Sequence, residues 1–421
     1  MSFVEWIKGV LAVSVLVLAG AAQAAEQGVS KIVMFDESVP AAARAAAIAK
    51  AGGQVVKEFA FINAVEAVFP ETKAFHAEGF GSADAGIAKG REGVASVELN
   101  AVHNWLVQSP AAMRSVAMPA VADFLRHGAV AAPAVGPSAA VDGGTENGVP
   151  WGVARVHASA AWERSRMGEG VKVGVIDTGI DGTHPALKAN YKGGFNAVTA
   201  GGDPNDDHGH GTHVAGTIAA ASPEVVGVAP KASLYGIKVL DAKGNGSYAS
   251  IIAGLQWAVD NRMNVVNMSL GGPPSEALEA AVKKTLAAGV SIIAAAGNDP
   301  KAEVSAPGRY DGVIAVSAST AQDGIASFST TGKQVAFIAP GYQVPSTWPG
   351  GGMKTLSGTS MATPHVTGLA VLAIAMGARG PTGVRQALDA AAAPLDGLNQ
   401  NQQGGGMIDA GRLAAPRVAS R

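Results

Sequence analysis

The stretch "TLSGTSMATPHVTGLAVLAIAM", Thr355 to Met376, decides how the chain is read. From Val366 onward it is apolar and long enough for a buried helix. Pro364 is tolerated only near the beginning of such a helix, where a missing N–H costs little. Ser360 therefore stands at the N-terminal end, where unpaired N–H groups and the positive end of the helix dipole gather. A Ser or Thr at that point is an ordinary cap. It is also a place where the oxyanion raised by a hydroxyl nucleophile would find donors. The window alone leaves both readings open, and the choice falls to whether the chain supplies a base and an acid.

A chain of 421 residues has room for two or three domains and a large core. Charged residues are only 15%, and Gly is abundant at 55, which fits a compact, turn-rich α/β protein. Lys+Arg 31 against Asp+Glu 33 leaves a net charge of −2 with no sustained basic run, so nucleic-acid binding is not supported. Cysteine is absent, which removes disulfides and thiolate metal sites. Near the start, Lys8 precedes "VLAVSVLVLAG" and then "AAQA", the pattern of a signal peptide cut after Ala24. The run is short for a membrane span, and no later segment is apolar enough to cross, so export without an anchor is expected.

The remainder divides into parts. Residues 25–107 contain a small α+β unit: strand "KIVMF", an Ala-rich helix at 40–51, strands through "QVVKEFAFINAVEAVF" and a last strand "VASVEL". Residues 108–147 are Ala, Pro, Val and Gly without periodicity and read as a linker. Over 148–413 strands and helices alternate, which predicts a doubly wound, mainly parallel sheet with helices on both faces. A short tail, 414–421, follows. Sites in such sheets lie at the carboxyl ends of the strands. Asp177, Ser269 and Asn298 all fall there by this reading.

Asp177 lies in "VIDTGIDGTHP" and His210 in "DDHGHGTHVAGT". Singly, the first could be a turn former and the second a helix-terminus histidine. A metal reading of His208, His210 and His213 is weak, because the helical zinc motif needs an i, i+4 pair with a Glu between. Taken with Ser360, however, the windows provide a nucleophile, a base to take its proton and a carboxylate to orient that base.

These three windows resemble the active-site motifs of the subtilisin-like serine peptidases, the subtilases, in that family's order Asp…His…Ser. The likeness runs from about Asn147 to Leu413. It implies Asp177 as acid, His210 as base and Ser360 as nucleophile of a serine-type endopeptidase. Asn298 of "AAAGND" matches the family's oxyanion Asn. "SLGG" (Ser269, Leu270, Gly271) and "KGNGSY" (Gly244, Gly246) resemble the two edges that sandwich a peptide as an added strand. Leu240, Tyr248 and Leu270 match an apolar pocket some residues upstream of the cut. Ala295, Gly297 and Ser305 match the pocket for the residue before the cut, whose small uncharged walls suit large apolar side chains, with Asp299 at the rim. His213 is read as structural packing.

Residues 25–107 likewise resemble the subtilase propeptide, an intramolecular inhibitor that helps the enzyme fold. The resemblance implies a secreted, monomeric, self-processing zymogen acting on protein or peptide substrates, with first cleavage between about Trp105 and Pro110. No cofactor is needed for the chemistry. The family's usual calcium site has an Asp where this chain has Ala186, so structural calcium is unsupported there. Asp203, Asp206 and Asp207 in "GGDPNDD" could hold calcium elsewhere or form a solvated acidic loop. The rival from another class is a catalytically silent relative that binds peptides in the same groove, although all four chemical positions are filled.

Overall fold

The computed structural model describes residues 28–70, 87–106, 145–146 and 148–413. The stretches read as signal peptide and C-terminal tail, and most of that read as linker, lie outside the described residues.

The N-terminal unit is built from β1 (Gly28–Phe35), α1 (Ala41–Lys50), β2 (Gln54–Phe59), β3 (Ala64–Pro70) and β4 (Val94–Leu99). They form an antiparallel sheet in the order β2-β3-β1-β4. The period-2 alternation of its strands gives it two working faces. Val33, Phe35, Val65 and Ala67 pack with Ile48 of α1, whereas Ile32 and Ala64 point the other way and join a core shared with the second unit.

A short strand β5 (Val102–Asn104) leaves this unit, and the next element among the described residues is the hairpin β6 (Thr145–Glu146) and β7 (Val149–Pro150). Thr145 and Glu146 are thus paired, although they fall inside the stretch read as linker. Then follow α2 (Trp151–Arg155), α3 (Ser159–Ser165), β8 (Lys172–Asp177), β9 (Tyr191–Asn196), α4 (His210–Ala219), β10 (Ser233–Lys238), β11 (Asn245–Ser247) and α5 (Tyr248–Asp260). The chain continues through β12 (Val265–Met268), α6 (Glu276–Ala287), β13 (Ser291–Ala295), β14 (Ile314–Ser319), β15 (Val335–Pro340), β16 (Val344–Trp348) and β17 (Gly352–Leu356). It closes with α7 (Thr359–Ala375), α8 (Gly380–Ala391), β18 (Ala392–Ala393), α9 (Gln400–Gln403) and β19 (Met407–Ile408).

The main sheet runs β18-β19-β15-β14-β13-β12-β8-β10-β9, parallel throughout except for the β18–β19 edge. Alternate residues of its strands feed two cores. Val173, Val175, Val265 and Ile293 pack with Val214 of α4 and Leu369 of α7. Ile176, Val266, Ile292 and Ala294 pack with Ile252 of α5 and Leu278 of α6. Helix α7 is buried over almost its whole surface, from Thr359 to Ile374, which explains why its sequence is apolar on every side rather than amphipathic. Among the described residues no single helix is long and apolar enough to cross a membrane.

The topology locates the site. From β8 the chain winds one way to β10 and β9, and afterwards the other way through β12, β13, β14 and β15. The strand order therefore reverses between β8 and β12, and the crevice beyond their carboxyl ends is where ligands bind in open α/β sheets. Asp177 ends β8, and Ser269 immediately follows β12.

The N-terminal unit sits against α5 and α6. The Glu98 carboxylate accepts from Glu276 N and Ser275 Oγ, both at 2.6 Å, at the start of α6. Asn100 Oδ1 accepts from Ala249 N at 2.9 Å at the start of α5. Both contacts satisfy N–H groups that a helix leaves open at its first turn. Ile32, Phe59, Ile62 and Ala64 fill the space between.

Candidate active site

Ser360 is the second residue of α7, and Pro364 lies inside that helix. Proline lacks the N–H that would bond the Ser360 carbonyl one turn earlier. The vacancy is filled from another element: Ser269 Oγ donates to Ser360 O at 2.7 Å, and Ser360 Oγ donates back to Ser269 O at 3.0 Å. Ser269 Oγ in turn accepts from Asn267 Nδ2 at 2.9 Å, while Asn267 Oδ1 accepts from Thr367 Oγ1 at 2.9 Å. The start of α7 is thereby tied to the end of β12 by reciprocal bonds.

The base stands on the neighbouring helix, since α4 and α7 pack together. His210 Nδ1 donates to Asp177 Oδ1 at 2.8 Å and Oδ2 at 3.0 Å, with both side chains buried. Burial opposes the imidazolium, but the Asp177 charge, its hydrogen bond and the more distant Asp206 charge outweigh it, so the His210 pKa is raised. Nε2 of His210 has no protein partner among the described residues. The Ser360 hydroxyl faces Ser269 O in this structure and not His210.

Asp206 holds the loop that carries the base. Its carboxylate accepts from Thr178 Oγ1, His208 N, Gly209 N, Thr212 N and Thr212 Oγ1, at 2.6–3.0 Å. Five donors on two buried oxygens make an anion held by the start of α4, so this residue is not part of a solvated acidic loop. Asp207 accepts from the buried Lys238 Nζ at 2.6 Å. Lys238 spends its other two donors on Thr178 O at 2.8 Å and Leu240 O at 2.9 Å. One ammonium so connects the acid's turn, the base's loop and the substrate edge.

The calcium alternative for this loop does not fit a carboxylate already surrounded by donors. The corner around Ala186 does not fit calcium either. Ala186 offers no side-chain oxygen, and its carbonyl accepts from Ala221 N at 2.8 Å. The nearby loop is closed mainly through the backbone, with Val226 N donating to Gly148 O at 2.9 Å. Among the described residues no group of three or more His, Asp or Glu side chains is arranged to hold a metal.

Asn298 lies three residues past β13, on the far side of Ser360 from the base loop. Its Oδ1 accepts from Thr359 N at 2.9 Å and Thr359 Oγ1 at 3.0 Å. With the oxygen so engaged, the amide nitrogen is turned to the cavity that Asn298 and Ser360 both line. Ser360 N has no acceptor among the described residues, so two donors converge beside the hydroxyl. Thr359, read from the sequence only as a cap, is the residue that orients this amide.

The cavity has a volume of about 490 Å³ and is lined by Ala295, Gly297 and Ser305, with Leu270 and Gly271 beside them. Thr330 lines it too and was not foreseen, because "SFSTTG" has no local feature that marks it. Leu240 and Tyr248 pack with Trp105 and Leu270 in one apolar cluster, and Trp105 and Leu270 also line the cavity. Strand β5 pairs antiparallel with β11, placing His103 opposite Gly246. Trp105 N donates to Gly244 O, and Gly271 N donates to Trp105 O, both at 3.0 Å. The indole is 1% exposed; Nε1 donates to Gly246 O at 2.8 Å, and the ring meets Tyr248 edge-on at 5.3 Å. The chain's own segment thus lies between the two edges as an added strand. Trp105 thus packs among the residues matched to the upstream pocket, and both it and Leu106 line the cavity as well.

His213 is buried, with Nε2 donating to Lys354 O at 3.0 Å and Val344 O at 3.1 Å. Burial and the nearby His210 charge push its pKa down to about 3, so it stays neutral and structural.

Residues 168–406 match the family model described as the subtilase family. M-protease of Shouchella clausii is 51% identical over 227 residues, which is 53% of this chain and 59% of that protein. Subtilisin Savinase of Lederbergia lenta is also 51% identical over 227 residues, covering 83% of its length. The thermostable alkaline protease of Halalkalibacterium halodurans is 43% identical over 271 residues, covering 63% of this chain and 73% of its own. The chain therefore spans somewhat more than half the length of some relatives and most of others.

The electrostatics of the His210–Asp177 pair can be read directly. In histidine-labelled protein followed by NMR, His210 should titrate with a midpoint above the ordinary histidine value of about 6.5. In Asp177→Asn the raising charge is gone and burial remains, so the midpoint should fall below that value. Equal midpoints in the two proteins would contradict the assignment of Asp177 as the group that holds the proton on His210.

Proposed function

The chain belongs to the subtilase family, and from that premise we propose that it is a secreted, monomeric serine endopeptidase made as a self-processing zymogen. The observations that carry the reading are the buried Asp177–His210 pair on the helix packed against α7, and the Asn298 amide that lines one cavity with Ser360.

The residues act as follows. A rotation about the Ser360 Cα–Cβ bond frees Oγ from Ser269 O and turns it to His210 Nε2. His210 takes the proton as Oγ attacks the scissile carbonyl, and Asp177 stabilises the imidazolium without itself taking the proton. The carbonyl oxygen gathers negative charge beside Asn298 Nδ2 and Ser360 N, donors already positioned before reaction. His210 then gives its proton to the leaving amine, which departs and leaves an acyl-enzyme. Water, deprotonated by the same histidine, attacks the ester and restores Ser360.

Specificity follows from the groove. Main-chain bonds to Gly244 and Gly271 accept many sequences, the upstream pocket selects an apolar or aromatic side chain, and the small walls at Ala295, Gly297 and Ser305 suit a large apolar residue before the cut. Calcium has no step in this chemistry.

Single substitutions Ser360→Ala and His210→Ala should each lower turnover of a peptide substrate by several orders of magnitude, with the double variant little worse. Such non-additivity is known for subtilisin's catalytic residues, which act as one unit. Losses that multiply would remove the assignment.

The second prediction concerns maturation. The segment after β5 enters the groove as a first substrate, and Trp105 fills a pocket upstream of the cut. Cleavage should therefore fall beyond Leu106 and no later than Pro110, followed by trimming of the Ala/Pro-rich stretch, whose composition favours nicking. Purified wild-type protein should begin between Val107 and Val149, whereas Ser360→Ala should keep residues from Ala25. N-terminal sequencing and intact mass decide it. A Ser360→Ala protein processed like wild type, in a host without other active proteases, would rule out self-maturation.

A further inference from the structure

Side chains from two separate elements meet on the side of the cleft where the base stands. Gly209, between His208 and His210, has φ +107, and a Cβ there would lie 2.3 Å from the Trp348 ring. The indole at the end of β16 therefore rests on the main chain that presents the base. In the β16–β17 hairpin Ser346 pairs with Lys354 and Trp348 with Gly352, which makes Lys354 the diagonal neighbour of Trp348. Lys354 Nζ stands over the Trp348 ring, 3.9 Å from its centre. A cation on an indole face is held there by the ring quadrupole, so a long flexible side chain gains a defined position.

The charge on Lys354 is available to a ligand. The residue is exposed and makes no ion pair among the described residues. The neighbouring carboxylates are engaged elsewhere: Asp177 with His210, Asp206 with its five donors, Asp207 with Lys238, and Asp181 with Thr183 and Gly350 N. His208 is half-buried beside His210, with ring centres 6.3 Å apart. Burial, His210 and Lys354 act to lower its pKa, against the Asp177 and Asp206 charges. The wall next to the base thus combines a neutral imidazole, an indole and one fixed cation. On this wall the charge is of one sign, while the Asp299 carboxylate stands at the rim of the pocket before the cut, and a charge at the lip of a cleft focuses the field on whatever enters beside it.

We propose that Lys354, held on Trp348 beside the base, gives the enzyme a preference for substrates that carry Asp or Glu close to the scissile bond. The proposal rests on the peptidase reading above and adds a substrate class to it. The main-chain pairing and apolar pockets of the groove set no such preference. Lys354 acts on selection only, since its main-chain carbonyl, and not its ammonium, supports His213.

The test uses mature wild-type and Lys354→Met enzymes with quenched fluorescent peptides of one parent sequence. Asp or Asn is placed at one position at a time on both sides of the cut. The readout is the ratio of kcat/KM for the Asp peptide to that for the Asn peptide. In wild type this ratio should exceed one at a position near the cut by about two- to five-fold, the range expected of a single exposed charge contact. It should fall toward one in Lys354→Met, and also in wild type at salt well above physiological strength, where such contacts are screened. A ratio at or below one at every wild-type position, or a preference retained by Lys354→Met, would overturn the proposal. Cleavage of the Asn peptides that is lost in Ser360→Ala supports the underlying reading independently. Its absence would sink that reading first, and the two failures are thereby told apart.

Discussion

A carbonyl without a partner organises this molecule. Pro364 removes the N–H that Ser360 O would have used, and a buried carbonyl left unpaired is costly. Ser269 supplies the missing donor from the end of β12, so the first turn of α7 cannot be placed independently of the sheet. The same residue carries one of the two edges between which β5 and Trp105 lie. Ser360 and the Ser269–Gly271 segment are consequently positioned by one pair of reciprocal bonds, backed by Asn267 and Thr367. Pro364 thereby ties the start of α7 to the end of β12.

The same economy of connections appears on the base's side. The strand order reverses between β8 and β12, so the loops from several strands converge at one end of the sheet. Convergence alone would give proximity and not geometry. Asp206 gathers five donors at the start of α4, and Lys238 bridges three segments, which fixes how the His210 ring meets Asp177. Buried polar groups of this kind are favourable only when every partner is in place. Their full satisfaction explains how two glycine-rich loops can hold an imidazole to a single orientation.

Much of this was legible in the sequence. Alternating strand and helix patterns gave the parallel sheet, because periods of 2 and 3.6 arise locally. The motifs around Asp177, His210 and Ser360 could be read together because a hydroxyl, a base and a carboxylate make one chemical set, whereas Asn298 was reached only through the family resemblance. What stayed hidden depends on contacts between distant segments. Asp206 looked like a solvated loop carboxylate because the turn that brings the 208, 209 and 212 donors back onto it is set by packing, and its fifth donor, Thr178, comes from another segment. Thr359 looked like a cap because its partner, Asn298, comes from another strand. The neighbours of Trp105, which are Tyr248, Gly246 and Leu270, come from segments far along the chain. Ordered pairing at Thr145 escaped a reading based on composition.

The central claim is that Ser360 is a nucleophile activated by His210. Its most direct measurement is covalent labelling with a serine-directed fluorophosphonate, followed by intact mass and peptide mapping. The account expects one adduct per mature enzyme, located on the peptide that contains Ser360, and sharply slowed labelling in His210→Ala. An adduct on another residue, or labelling at an unchanged rate without His210, would contradict it.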